Sequence, residues 1–282
     1  MSEKDKKLTL SDEEKSMLIN TINKRGFFLE EKAYGILEQR NGMFHLRKNF
    51  IPEKYNDKFE DRVEIDLVFE QDDKDLIIEC KKTDFAWIFP KSLVGSNNVN
   101  YIYEIENKIS IRSFEEDRWR ACYSEPMAIM MNSDGNLIPQ NNEKEFVKTP
   151  TRQEDPIHRA VQRVLVQTKA WRWNKTTLRP YSFYVPIILT NARLFFMDYN
   201  SEHIDKDSNL VDYNSLEEVG TLIYNYPEFL GLPNSDDERT IKSVFVVNIN
   251  HFSEFLDWFL PQFMGDLNQR KSKKQKETNS YL

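Results

Sequence analysis

Apolar residues Met17, Leu18 and Ile22 recur at helical spacing behind Ser11, and Ser11 with Glu14 has the spacing of a capping box. A first helix is therefore expected from Ser11 toward Lys24. After Gly26 the pattern resumes over residues 28–40, with Leu29, Ala33, Ile36 and Leu37 on one face and Asn41-Gly42 as the stop. Residues 43–51 follow, and then the period changes. Val63, Ile65, Leu67 and Phe69 alternate with Glu64, Asp66 and Val68, which predicts a strand over residues 62–69 with one apolar face. A turn at residues 71–74 leads to a strand at residues 76–82, its hairpin partner. The first 90 residues thus read helix, helix, strand, strand, strand.

Residues 85–154 carry Asn- and Ser-rich loops, with strands expected at residues 109–112 and 127–131 and a turn at Ser133-Asp134-Gly135. Asp155 and Pro156 open a helix running through about Trp171, with Ile157, Val161, Val164 and Thr168 on one side. Strands are expected at residues 184–190 and 193–199, the first at a sheet edge or bulge because Pro186 lacks an N–H. A strand at residues 244–249 and an apolar helix at residues 252–263 complete the pattern. No repeat of 20 to 50 residues is present. The expected organisation is one domain over residues 1–267, with its core at residues 25–90 and 156–200. An insertion at about 85–155, an acidic elaboration at 198–240 and a C-terminal strand and helix at 243–264 surround that core. Residues 268–282, with Arg270, Lys271, Lys273, Lys274 and Lys276, read as a disordered basic tail.

Composition narrows the class. With 39% hydrophobic and 30% charged residues the chain is too apolar for disorder and too charged for a membrane protein. A chain of 282 residues buries roughly three quarters of its unfolded surface, so it needs no disulfide or structural metal to fold. No apolar run approaches the ~18 residues of a membrane span, and the charged start lacks the apolar core of a signal peptide. Cys80 and Cys122 lie far apart with no CxxC, which fits a reducing compartment. A cytoplasmic protein with no membrane partner is expected, and one open to homodimer formation.

Net charge is −7, against bulk binding of nucleic acid, but the charge is segregated. Residues 156–197 contain no acid and seven bases: Arg159, Arg163, Lys169, Arg172, Lys175, Arg179 and Arg193. Residues 198–240 reverse this, with eleven acids against Lys206 and Arg239. A local polyanion-binding face is the expectation, with Arg163, Lys169, Arg172 and Lys175 as nucleic-acid contacts and Trp171 and Trp173 available to stack on bases. The same helix could instead bury its tryptophans in the core. His45, His158, His203 and His251 show no metal-ligand spacing, and no GxSxG, GxGxxG or GxxxxGK is present.

The chemistry concentrates in the second and third strands. Strand alternation sets Asp66 opposite in direction to Ile65 and Leu67, while Glu79 and Lys81 share a face with Cys80 on the other. Two carboxylates held side by side resist joint ionisation unless a cation lies between them, and hard oxygen ligands of this kind suit Mg²⁺ or Mn²⁺. A lysine two residues beyond the second acid can orient or deprotonate a water, or neutralise a phosphate. Glu64 shares the Asp66 face and reads as an extra ligand or a solvated strand-edge acid.

The segments Glu64-Ile65-Asp66-Leu67-Val68 and Ile77-Ile78-Glu79-Cys80-Lys81 have twelve residues between Asp66 and Glu79. Together with the acids in Phe28-Leu29-Glu30-Glu31-Lys32-Ala33, they resemble the PD-(D/E)XK, or restriction-endonuclease-like, nuclease superfamily. The resemblance implies an α/β fold with a central mixed sheet flanked by helices. It implies metal ligation by Glu30, Asp66 and Glu79, a catalytic Lys81, and Mg²⁺ or Mn²⁺ as cofactor. The implied activity is metal-dependent phosphodiester hydrolysis, DNA favoured over RNA, as in a restriction or defence endonuclease. The family's proline before the aspartate is Ile65 here. Glu31 competes with Glu30 for the helix position, and Glu30 borders the buried face. The family's helix after the third strand often carries a glutamine near the site, for which Gln162 and Gln167 are both placed. The match covers residues 25–82 well and residues 156–199 loosely. The alternative is a noncatalytic nucleic-acid-binding or protein-interaction module that keeps the nuclease fold.

Overall fold

The computed structural model describes residues 11–24, 26–40, 45–53, 55, 62–71, 74–91, 98–105, 108–115, 120–122, 125–132, 135–137, 155–175, 182–198, 215–226 and 243–261. The expected tail at residues 268–282, Arg179, and most of the acidic stretch lie outside the described residues.

Helix α1 spans Asp12–Lys24 and is capped as its sequence predicts: Ser11 Oγ accepts from the Glu14 amide (3.2 Å) and Glu14 Oε2 accepts from the Ser11 amide (2.8 Å). Those hydrogen bonds hold the Glu14 carboxyl below its usual range. The apolar stripe on α1 does not find a core. Met17 is 70% exposed, and Leu18, Ile19 and Ile22 are also exposed. Helix α2 (Phe27–Glu38) buries Leu29, Ala33 and Leu37 as its periodicity requires.

Three antiparallel strands follow, β1 (His45–Phe50), β2 (Ile65–Gln71) and β3 (Lys74–Lys81), paired β1 to β2 and β2 to β3. Helix α3 (Pro156–Asn174) starts where expected, with Asp155 accepting from the Ile157 amide at 2.8 Å and Pro156 at its first turn. It leads into β9 (Ser182–Thr190), which lies parallel to β3 along eight paired positions. Strand β13 (Ser243–Asn248) is parallel to β9 on its other side. Beyond it come β12 (Thr221–Asn225), antiparallel, and β7 (Arg120–Cys122) at the far edge.

The expectation of an edge position for residues 184–190 is overturned, because β9 is the centre of this sheet. Pro186 is tolerated because it falls where the outer neighbour changes. Residues 187–190 pair with β13, whereas residues 182–184 pair with β5 (Asn98–Ile105), itself hairpinned to β6 (Lys108–Glu115). The main sheet is thus mixed and nine-stranded, with the order β1-β2-β3-β9-β13-β12-β7 and the β5–β6 hairpin attached at β9. A second sheet has the order β11-β10-β4-β8, built from β11 (Leu216–Val219), β10 (Leu194–Met197), β4 (Phe85–Pro90) and β8 (Met127–Met130). Residues 85–155 therefore supply strands to both sheets, and the acidic stretch contains β11 and β12. Gly220 joins these two strands as the chain crosses between the sheets. The His251 ring packs where a Cβ would stand, so a larger residue there must displace it.

Both faces of the main sheet are covered. One carries α2 and helix α4 (residues 252–261), whose Phe252, Phe255, Leu256 and Phe259 pack with Leu67, Ile78, Ile187, Phe245 and Val247. The other carries α3, which sets Ile157, Val161 and Val164 against Ile188, Leu222 and Val246. The fold is α/β with a mixed central sheet between helices. Among the described residues no helix is long and apolar enough to cross a membrane.

Candidate active site

The β2–β3 register, Leu67 opposite Ile78, carried one step further sets Asp66 opposite Glu79. Asn49 of β1, beside Asp66 on the other side, has φ 51°, the left-handed conformation that asparagine tolerates better than most residues. The β1–β2 pairing passes from Lys48–Leu67 to Phe50–Ile65 across that irregularity. Asp66 is thereby freed from regular pairing on both sides, and its Oδ2 accepts from the Cys80 amide at 2.8 Å. That bond fixes the carboxylate against the end of β3.

Glu79 is 2% exposed and Asp66 nearly as buried. Helix α3 closes over them. Gln167 donates from Nε2 to Glu79 Oε2 (2.8 Å) and to the Glu64 carbonyl (2.9 Å). Arg163, one helical turn earlier, bridges the two acids: Nε lies 3.0 Å from Glu79 Oε2 and Nη2 lies 3.4 Å from Asp66 Oδ1. Burial and the neighbouring Asp66 charge push the Glu79 carboxyl up to about 8, although Arg163 and Gln167 pull the other way. Ion pairing would favour ionised Glu79, but removal from water outweighs it, so metal-free Glu79 holds a proton at neutral pH. The remaining oxygen of Gln167, Oε1, is buried and accepts no hydrogen bond from a described residue.

Glu30 on α2 is half-buried and feels the same acids. Burial, then the Asp66 charge, raise its carboxyl above its usual range. Glu31 is exposed and pairs with Lys48, so of the two helix acids Glu30 is the one turned toward the site. Glu30 nevertheless stays outside the close set: among the described residues, no group of three or more His, Cys, Asp or Glu side chains is gathered to hold a metal ion. Lys81 follows Glu79 by two strand positions and shares its face. It is half-buried and makes no hydrogen bond or ion pair with a described residue. Beside the acids lies a cleft of about 510 Å³ whose walls include Arg62, Glu64, Arg159, Gln162, Arg163 and Gln167. Arg159 and Arg163 share one face of α3, being four residues apart.

The four bases expected to contact nucleic acid do not form one surface. Arg163 faces the acids and the cleft. Lys169 and Arg172 are half-buried on other sides of α3. Lys175 is turned inward: its side chain is 12% exposed, 3.0 Å from Glu70 Oε2 and 2.6 Å from Asp75 Oδ2, with its ammonium over the Trp171 ring. Its charge is committed to internal acids and is not available to a backbone phosphate. Trp171 is core, donating from Nε1 to Asp75 Oδ2 at 2.9 Å, while Trp173 is exposed. Burial raises the Asp75 carboxyl above its usual range. For Glu70, burial acts upward, but the Arg47 hydrogen bond and Lys175 hold it below. Replacing Lys175 with Met leaves the buried Asp75 carboxyl without its ionic partner and Glu70 with Arg47 alone, and should cost about 3 kcal/mol in urea denaturation. A loss under about 0.5 kcal/mol, the usual surface value, would contradict this placement.

Glu79 makes a pH prediction with a definite sign. In EDTA the native state binds the Glu79 proton more tightly than the unfolded chain does. Its contribution is therefore present below the ordinary 4.5 and is lost as pH rises through about 8. Glu79→Gln cannot titrate, so its stability relative to wild type should rise between pH ~5 and ~8, by on the order of 2 kcal/mol. Thermal melts across that range check it, and a constant difference contradicts it.

Sequence reasoning did not anticipate Arg163 between the carboxylates, nor Arg62 in the cleft wall. Gln167, one of two glutamines open for the site, is the one bonded to Glu79, while Gln162 pairs with His158. No protein-family model, curated protein or solved structure matches this chain.

Proposed function

We propose that Asp66, Glu79 and Lys81 form the centre of a metal-dependent nuclease of the restriction-endonuclease-like fold, hydrolysing phosphodiester bonds in DNA in preference to RNA. The observation that carries this reading is the pair of buried, cross-strand carboxylates already bridged by a cationic group, with Lys81 two strand positions beyond Glu79 and not engaged by a described residue. A protein gains little stability by burying two acids face to face, and such arrangements cluster at functional sites. The order α2, β1–β2–β3, α3, parallel β9 supports the family resemblance, as does the glutamine of the crossover helix on Glu79.

The donor set fits Mg²⁺ or Mn²⁺. Mg²⁺ keeps several waters and is bound through one or two carboxylates together with substrate phosphate, so a third close acid is not required. Asp66 and Glu79 would hold the ion, with the neighbouring Glu30 carboxyl adding negative charge when ionised. When bound, it would supply Lewis-acid polarisation of the phosphate and a more acidic water. Gln167 holds Glu79 in one orientation, and the Cys80 amide holds Asp66. Lys81 donates from its ammonium to a phosphate oxygen or orients the attacking water. The cleft arginines meet the anionic backbone.

The noncatalytic alternative draws on one observation: Arg163 occupies the space between the acids. Incubating supercoiled plasmid, and separately RNA, with the protein in Mg²⁺, Mn²⁺ or EDTA distinguishes the two. Nicked or linear DNA in metal and none in EDTA is the expected result. Intact plasmid in all three, with the duplex still bound, favours the module.

A further inference from the structure

We propose that Arg163 is a transferable counter-ion, held by Asp66 and Glu79 until a divalent cation takes its place and then turned to the substrate phosphate in the adjoining cleft. This rests on the nuclease reading and assigns a positioning residue within it. Three observations carry it. The guanidinium touches both carboxylates, so a metal ion bound by the same oxygens meets a like charge at contact distance. The side chain remains 55% exposed although its partners are buried, so it sits at the mouth of the acidic pocket with open space on one side. That space is the cleft, where Arg62 and Arg159 already stand and Glu64 is the one acid among the described residues of the wall.

The exchange keeps a cation against the two acids at each stage. Without metal, that cation is the Arg163 guanidinium. With metal, the cation neutralises the acids, and Arg163 loses its reason to stay. An arginine fork is well matched to two phosphate oxygens, and Arg163 is reached from the cleft side without crossing the core. Metal binding and substrate binding are thereby coupled, and linkage makes the coupling reciprocal. The protein would bind its substrate backbone well only after the ion is in place, a safeguard against unproductive association.

The experiment titrates Mn²⁺ calorimetrically into wild type, Arg163→Gln and Arg163→Met, with circular dichroism to verify that each variant folds. Both variants keep a helix-compatible stem without the charge. Removing the competitor should tighten Mn²⁺ binding at least ~10-fold, the factor that about 1.4 kcal/mol supplies. Binding of a short labelled duplex is then measured with Ca²⁺ in place of Mn²⁺ and with EDTA. Wild type should gain affinity in Ca²⁺, and the variants should gain markedly less. Equal or weaker Mn²⁺ binding in folded variants overturns the exchange while leaving the nuclease reading intact. Tighter Mn²⁺ binding with an undiminished gain for duplex overturns the transfer to phosphate. Absence of Mn²⁺ binding in wild type and variants alike removes the nuclease reading itself, and this inference with it.

Discussion

Asp66→Ala and Glu79→Ala are each expected to abolish metal-dependent cleavage. The two side chains face one another across the end of the β2–β3 hairpin, and losing either leaves a single carboxylate for an ion the pair would share. The loss should be one of chemistry and not of folding. Removing either acid takes away a buried carboxyl group that is costly to hold out of water, so thermal stability in EDTA should be kept or increased. Calorimetry should show the Mn²⁺ heats disappear with the activity. Wild-type cutting rates in both variants would mean that the reacting centre lies elsewhere.

Lys81→Ala has the second large effect and the opposite signature. Lys81 lies beyond the carboxylate pair on the same strand face and is not engaged by a described residue, so it contributes to the reaction and not to holding the ion. The cleavage rate should fall by at least ~10²-fold, the scale of a positioned proton-transfer group. Mn²⁺ affinity should change little. A variant that loses Mn²⁺ binding but cuts normally at saturating metal would assign Lys81 to the ligand sphere instead.

The parts of this site that could be read from the chain are those set by short-range regularity. Strand alternation gives the faces of Asp66, Glu79 and Lys81, and the helix period gives the buried stripe of α2. Cap chemistry gives the start of α3 at Asp155 and Pro156. Arg163 between the carboxylates is a contact over 97 sequence positions from Asp66, and no local pattern encodes it. Lys175 shows the same limit from the other side. Its charge is legible, but its burial depends on Glu70 and Asp75 sitting under the end of α3. Strand β4 carries the continuous run Phe-Ala-Trp-Ile-Phe, covered on both faces, so it lacks the alternation that marks a half-buried strand. Pro186 misleads because the rule excluding proline from central strands assumes one continuous neighbour, and β9 has two in succession. The exposed stripe of α1 is the converse case, in which periodicity identifies a face but not what lies against it.

The central claim is that the Asp66–Glu79 pair receives a divalent cation, and anomalous diffraction from a crystal soaked in Mn²⁺ tests it most directly. The expected result is an anomalous peak between the two carboxylates, within bonding distance of an oxygen from each, with the Arg163 guanidinium withdrawn toward Arg62 and Arg159. A fully soaked crystal with Arg163 still bridging Asp66 and Glu79, and no peak between them, would contradict the account.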